Sequence, residues 1–209
     1  MIIKNLAIGK PKEYEWKDGK EYSAIDKQSI KSASLLKSGF IHDDVANHQF
    51  HGGDDRAVCL YPFEHYQKWE HEFGVSLMPP ALGENITAIG MPEESVCIGD
   101  IYQVNDCLLQ VTQGRVPCST ISKFNQEDQF LNRVFQTCFT GYFFRVLREG
   151  EIYNGSEIKL IQRHPQEISV LFANHILFHD QKNKAAIEKI LLVDELAEVW
   201  KGKLHKLLL

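Results

Sequence analysis

The hydrophobic rhythm of the chain changes once, at His164 and Pro165, and that change limits the folds open to it. Upstream, short apolar stretches such as MIIKNLAIG, AVCLY, SVCIGDIYQV, CLLQVTQ and YFFRVL read as strands bounded by polar turns. Downstream, three groups of residues keep the spacing of helix faces: Ile168, Leu171, Phe172 and Ile176; Ile187, Ile190 and Leu191; and Leu196, Val199, Trp200, Leu204, Leu207 and Leu208. The pattern predicts a mainly β domain over residues 1–163, followed by a small three-helix C-terminal domain over residues 164–209. Asp180 and Asp194 are the expected N-caps of the second and third helices. At 209 residues the chain can bury a substantial core.

Finer expectations follow from local composition. The lysine-rich segment from Lys10 to Lys20 reads as a loop, and YSAIDKQSI as a second short strand. Pro62 suits the first position of a helix running to Phe73, which would leave His65 and His71 on its exposed side. Gln126 to Gln136 is a helix candidate, and hairpin turns are expected at Asn105–Asp106 and Asn154–Gly155.

The net charge of −5, from 23 basic and 28 acidic residues, argues against a protein that grips a nucleic-acid polymer, while leaving room for a basic pocket around one small anion. No apolar run is long enough to span a bilayer. The N-terminal MIIKNLAIGKP has too short an apolar part, and no cleavage pattern, for a signal peptide, so no membrane partner and a cytoplasmic location are expected. The five cysteines are scattered without zinc-ligand spacing and are expected as free thiols, four of them in core-like surroundings.

The fifth, Cys118, is different. In LQVTQGRVPCS a strand runs out through Gln113, Gly114 and Arg115 into Pro117, which stiffens the loop, and the permanent charge of Arg115 favours thiolate over thiol. Such a sulfur is a metal ligand or a nucleophile, although a buried small hydrophobe would fit the same position. His51 precedes Gly52 and Gly53, a pattern that suits either close backbone approach to a ligand or a polar hairpin turn. LGENIT presents Glu84 and Asn85 together, followed by Thr87. Arg145, inside the apolar run YFFRVL, requires an anionic partner or solvent, and Lys27 lies in a short strand candidate.

With HGGDDRAVCLYP, LGENIT, IGDIYQV, QGRVPC and GYFFRVL in this order, the chain resembles the MOSC family, in its small stand-alone bacterial YiiM-like type with a three-helix C-terminal extension. The resemblance implies a barrel-like β fold that binds the molybdenum cofactor (molybdopterin), with Cys118 as the protein ligand to molybdenum. It also matches the family's glycine-flanked histidine to His51, Gly52 and Gly53, and its acidic–asparagine pair to Glu84 and Asn85. A soft thiolate suits molybdenum, and Lys27, Thr87, Gln113, Arg115 and Arg145 are expected to join these residues around the phosphate and pterin. The chain departs from the family pattern at His42, Asn47, Gly114, Ser119 and Thr120.

The activity that the resemblance implies is reduction of small N-hydroxylated compounds such as N-hydroxylated purine bases, with Cys118, His51 and Glu84 as the catalytic set. No flavin, haem or iron–sulfur pattern occurs in the sequence, so a separate reductase would supply electrons. The alternative is a carrier of the cofactor, or of sulfur as a persulfide, without turnover of its own. A homodimer is among the expected assemblies, with the helical tail packing on the barrel, on a second copy or on the electron donor.

Overall fold

The computed structural model describes residues 1–48 and 51–209. The chain opens with β1 (Ile2–Ile8), whose apolar residues Ile3 and Leu6 are buried. The expected loop that follows is instead a hairpin of β2 (Lys12–Trp16) and β3 (Gly19–Ser23). Its Tyr14 and Trp16 rings stack 4.9 Å apart on one face while Glu13, Glu15 and Lys20 take the other, so alternation was present but carried by aromatic and charged residues. YSAIDKQSI is likewise not one strand: β3 stops at Ser23 and β4 (Gln28–Ser29) is a short addition to β1.

Next come β5 (Ser32–Leu36), β6 (Gly39–Phe40), a single 3-10 turn (Asp54–Arg56) and β7 (Val58–Pro62). Pro62 closes β7, and α1 (Glu64–Phe73) begins after it. His65 is buried, against expectation: its Nε2 lies 2.6 Å from the fully buried Glu93 carboxylate and its ring stacks on Phe139. β8 (Ile86–Ile89) lies parallel to β7, and β9 (Ile101–Val104) and β10 (Cys107–Gly114) form the expected hairpin, with Asn105 at φ 51°. α2 (Thr120–Asn125), a helix not expected from the sequence, ends at Gln126 in the left-handed conformation, and the helix expected over Gln126–Gln136 is α3 (Phe130–Thr137), which starts later. β11 (Tyr142–Arg148), β12 (Gly150–Tyr153) and β13 (Ile158–Gln162) complete the strands. Asn154–Gly155 is a turn but not a hairpin, because β12 pairs with β5 and β13 with β9.

Among the described residues the main sheet has the order β13-β9-β10-β11-β7-β8-β1-β4, antiparallel except for β7 and β8. It curls until Ile3 N–H donates to Ser156 O and Ile158 N–H to Met1 O, bringing β1 against the lead-in to β13. The result is the barrel-like, mostly β fold read from the sequence. Within the curl, Leu6, Leu60, Ile86, Tyr102, Leu109 and Phe144 are buried, each contributing about 1.5–3 kcal/mol by leaving water. A second cluster, built on Tyr61, Tyr66, Trp69, Ile121 and Phe130, lies beneath α1, α2 and α3.

Three C-terminal helices follow: α4 (Val170–His179), α5 (Lys184–Leu191) and α6 (Glu198–Leu208). Their Val170, Ala173, Ile176, Ile187, Trp200 and Leu204 belong to the same core as the sheet, so the tail folds back on the barrel. The N-caps differ from expectation. Asn183, not Asp180, caps α5, its Oδ1 accepting from Ala186 N–H at 3.1 Å while its Nδ2 donates to Asp180. The residue before α6 is Ala197, whose N–H donates to Thr112 O, so tertiary pairing replaces the side-chain cap sought at Asp194. Replacing Asn183 with alanine is expected to lower stability by about 1 kcal/mol, read as a shift in urea midpoint at constant slope. No helix among the described residues is long and apolar enough to cross a membrane.

Candidate active site

A bulge in one strand and the double-sided burial of another create the site. β10 carries a register shift between Val111 and Gln113 in its pairing with β11. Residues two apart on a regular strand share a face, yet Val111 lies in the core and Gln113 on a cavity wall, and the bulge accounts for the switch. β7 is buried on both faces: Val58 and Leu60 enter the main core, while Cys59 faces the cavity and Tyr61 the second cluster.

The cavity encloses about 860 Å³, within the range of sites for small molecules and cofactors. Lys27, His51, Gly52, Gly53, Asn85, Gln113, Arg115 and Cys118 all line it, though they come from four separate stretches of sequence. Glu84, Thr87 and Arg145, expected in the same set, do not line it. In the irregular lead-in to β8, Asn85 turns to the cavity, while Glu84 turns away from it toward Tyr66. Glu84 is fully buried and accepts from Tyr66 Oη at 2.6 Å, Thr87 Oγ1 at 2.7 Å and Leu82 N–H at 3.2 Å. Burial raises its proton affinity against these hydrogen bonds. Arg145 pairs with Asp55 at 2.6 Å and donates to Gln110 Oε1 and to Glu195 O. It has the anionic partner that its sequence demanded, but that partner is a protein carboxylate.

Cys118 is the exposed cysteine of the five; Cys59, Cys97, Cys107 and Cys138 are buried. Its sulfur opens to the cavity while protein surrounds it on the other sides. That burial works to raise its pKa, but it is outweighed by a hydrogen bond from His51, by the hydroxyl and N–H of Thr120, and by the charge of Arg115. The thiol falls from 9.0 to about 6. Thr120 Oγ1 lies 3.3 Å from Sγ and also 3.3 Å from a Glu21 oxygen, so its proton turns to the sulfur when the thiolate forms. Burial pushes the other four thiols up, Cys107 and Cys138 to about 11.

Arg115 supplies the charge through a buried guanidinium whose Nη1 has no hydrogen-bond partner among the described residues, and whose electrostatic neighbours include Cys59, Cys118 and Glu84. Gln113 Oε1 is similarly buried and unpartnered. Lys27, by contrast, is neutralised by Asp43 at 2.5 Å, and Asp43 also accepts from Gly9 N–H at 2.7 Å and Asn85 Nδ2 at 2.9 Å. Asn85 Oδ1 accepts from Cys59 N–H, so its amide serves the wall itself. Gly52 and Gly53 sit at φ 77° and 88°, conformations that a side chain would strain.

Asp43, Arg56, Cys59 and Lys203 also line the cavity and were not singled out from the sequence. Arg56 stands in the DDRAV segment and Cys59 in AVCLY, where each reads as a turn charge and a core residue. Lys203 carries no local signal, because its position depends on how α6 docks.

A profile of the MOSC domain matches residues 47–159, and one of the YiiM-like 3-alpha helix domain matches residues 168–209. The chain is 41% identical to the uncharacterized protein YflK of Bacillus subtilis, covering 98% of this chain and 93% of that protein. The crystal structure of YiiM from Geobacillus stearothermophilus superposes with a TM-score of 0.85 at 34% identity, covering 99% and 98% of the two chains. A protein of Gibberella moniliformis named Reductase is 33% identical over 76% of this chain, which spans 29% of that protein's length. The cavity thus lies in a chain that belongs to the MOSC domain family, with the YiiM-like three-helix domain at its C-terminus.

Proposed function

We propose that this protein is a molybdenum-cofactor-dependent reductase of small N-hydroxylated compounds such as N-hydroxylated purine bases, fed with electrons by a separate reductase. The observation that carries the reading is the pairing of an open thiol of pKa about 6 with a buried, unpartnered arginine nitrogen on one cavity wall. The donor set fits the cofactor: Cys118 is a soft thiolate for molybdenum, Arg115 Nη1 is a spare cationic donor, Gln113 Oε1 is a spare acceptor, and the amides of Gly52 and Gly53 lie on the cavity wall. The relative named Reductase supports a redox role.

Bound there, the cofactor supplies two-electron removal of the oxygen of an N-hydroxyl group, leaving the amine. The chain's own groups do the rest. Cys118 holds the metal, and Thr120 and Arg115 keep the sulfur anionic. The oxygen leaves as water and the step consumes two protons; His51, hydrogen-bonded to that sulfur and exposed at the cavity, delivers the one that the leaving oxygen takes, and solvent in the open cavity supplies the one that the nitrogen gains. Glu84 keeps the second cluster's edge fixed through Tyr66 rather than acting on substrate.

The same exposed thiolate suits a carrier of cofactor or persulfide. The two readings separate on protein purified from cells that make the cofactor, assayed for molybdenum and for reduction of an N-hydroxylated purine with an artificial electron donor. Stoichiometric molybdenum with turnover is expected. Metal without turnover selects the carrier, and neither metal nor turnover overturns both cofactor readings.

A further inference from the structure

One wall of the cavity is a ribbon with few ties to the barrel. Among the described residues β2 and β3 pair only with each other, and a two-stranded hairpin has little stability of its own. Its neck is fixed. Gly9 N–H and Lys27 Nζ both donate to Asp43 Oδ1, a Cβ at Gly9 would lie 3.0 Å from Lys27 Cα, and Ile25 is buried in the second cluster. The ribbon therefore leaves and rejoins the barrel at one point, and Glu21, Tyr22 and Ser23 on its returning strand line the cavity that Cys118 opens to.

Beyond the neck, the ribbon rests on α2. In the hairpin register Tyr14 opposes Glu21, so the two side chains share a face, and that face meets the helix. The Tyr14 ring stands edge-on to Phe124 at 6.4 Å, Glu21 Oε2 accepts from Lys123 Nζ at 3.1 Å, and Asp18 in the hairpin turn lies 3.7 Å from the same nitrogen. Glu21 Oε1 lies 3.3 Å from Thr120 Oγ1, the hydroxyl that also faces the Cys118 sulfur. Because Thr120 has one proton for two neighbours, the Lys123 pair is the constant half of this hold. That pair is partly exposed, and ion pairs of this kind are weak and screened by salt, which suits a contact that is made and broken. Trp16, stacked on Tyr14, has a buried Nε1 without a hydrogen-bond partner among the described residues, so water reaching it on opening offsets part of the cost.

We propose that the β2–β3 hairpin is a lid on the cavity and that Glu21 is its latch, the contact with Lys123 setting how bulky a molecule can reach Cys118. The lid rests on this geometry alone. Its consequence for substrate, a preference for a bare N-hydroxylated base over bulkier derivatives, rests on the reductase reading above.

N-ethylmaleimide and N-(1-pyrenyl)maleimide carry the same reactive group and no charge, and differ in bulk. Their rates with Cys118 are read by peptide mapping at pH 8 on the full chain purified from cells unable to make the cofactor. The ratio of the two rates is divided by the same ratio for glutathione, so ionisation of the sulfur and intrinsic reagent reactivity both cancel. The parent is expected to favour the smaller reagent at least tenfold. E21A and K123Q, which change the local charge in opposite senses, should each cut that preference about threefold or more, as should about 1 M salt in the parent. K20Q, which removes only the Lys20–Glu13 pair within the hairpin, should leave it unchanged. Amide exchange over residues 12–23 should quicken in E21A and K123Q. No size preference in the parent, or an unchanged preference in either latch variant whether or not exchange quickens, overturns the lid. Neither reagent needs the cofactor, so failure of the reductase assay leaves this test intact.

Discussion

Iodoacetamide is expected to alkylate Cys118 ahead of the other four cysteines at pH 7, with a rate that titrates near pH 6 and is flat above pH 7. The attacking species is the thiolate, and a pKa of about 6 leaves roughly nine-tenths of the sulfur ionised at neutrality. A thiol at 9.0 would be ionised to about one part in a hundred, a gain near ninetyfold, but lower basicity weakens the nucleophile by roughly twentyfold over three pKa units. The absolute rate therefore exceeds that of an ordinary exposed thiol only a few times, and the pH midpoint is the diagnostic quantity. His51→Ala removes the hydrogen bond that ranks first among the groups lowering the pKa, so the midpoint should move up. Peptide mapping by mass spectrometry across pH 5–9 reads both, and a Cys118 midpoint above 8 in the parent would remove the physical basis of the site. Cys118→Ala should abolish molybdenum retention and turnover while leaving the melting temperature at pH 5 within a degree or two, because there the thiol is neutral in both states and its sulfur opens to the cavity. The sign for stability follows from the same shift. Folding depresses this pKa, so ionisation stabilises the native state above the ordinary thiol value, and the contribution is lost as pH falls through about 6.

What the sequence carried was whatever depends on near neighbours. The switch from strand to helix spacing at His164 located all three tail helices, and the proline-stiffened thiol in QGRVPC emerged as the exposed cysteine. What it could not carry was direction and distant partnership. Glu84 and Asn85 look like a pair in LGENIT, but the irregular backbone ahead of β8 sends them to different surroundings, Glu84 to Tyr66 and Asn85 to the cavity. Arg145 demanded an anion, and nothing local distinguishes a cofactor phosphate from Asp55, 90 residues away in sequence. His65 sits where helix periodicity suggests water, yet Glu93 draws it into the interior from 28 residues away. Lys203 reaches the cavity through the docking of an entire helix, which no window of sequence contains.

Gly114 is where the tail and the thiol loop meet, and Gly114→Ala is expected to cost about 3–5 kcal/mol, enough to unfold a marginal protein. The residue ends β10, and a Cβ there would lie 1.8 Å from Asn174 Oδ1 and 2.8 Å from Asn174 Cγ. Backbone strain is not the cause, since Gly114 needs no left-handed conformation. The obstacle is a side chain that has little room to retreat. Asn174 is fully buried on α4, with its Nδ2 donating to Cys138 O at 3.1 Å and to Thr140 Oγ1 at 3.0 Å. Moving it aside breaks both bonds in a dry interior, and the methyl adds overpacking. The departure from the family pattern at this position thus has a structural reason, because the amide of the tail occupies the space. Urea unfolding of G114A, N174A and the double variant tests the coupling. If the clash is the cause, the double variant should be no less stable than N174A alone, a non-additivity of about 2 kcal/mol or more. Additive losses would place the fault elsewhere. The next residue, Arg115, donates its N–H to Gly141 O at 2.9 Å and carries the charge that acidifies Cys118, so a displaced strand end should also raise the alkylation midpoint of that thiol in G114A. The helical tail then bears on the sulfur through one contact between an amide and a missing side chain.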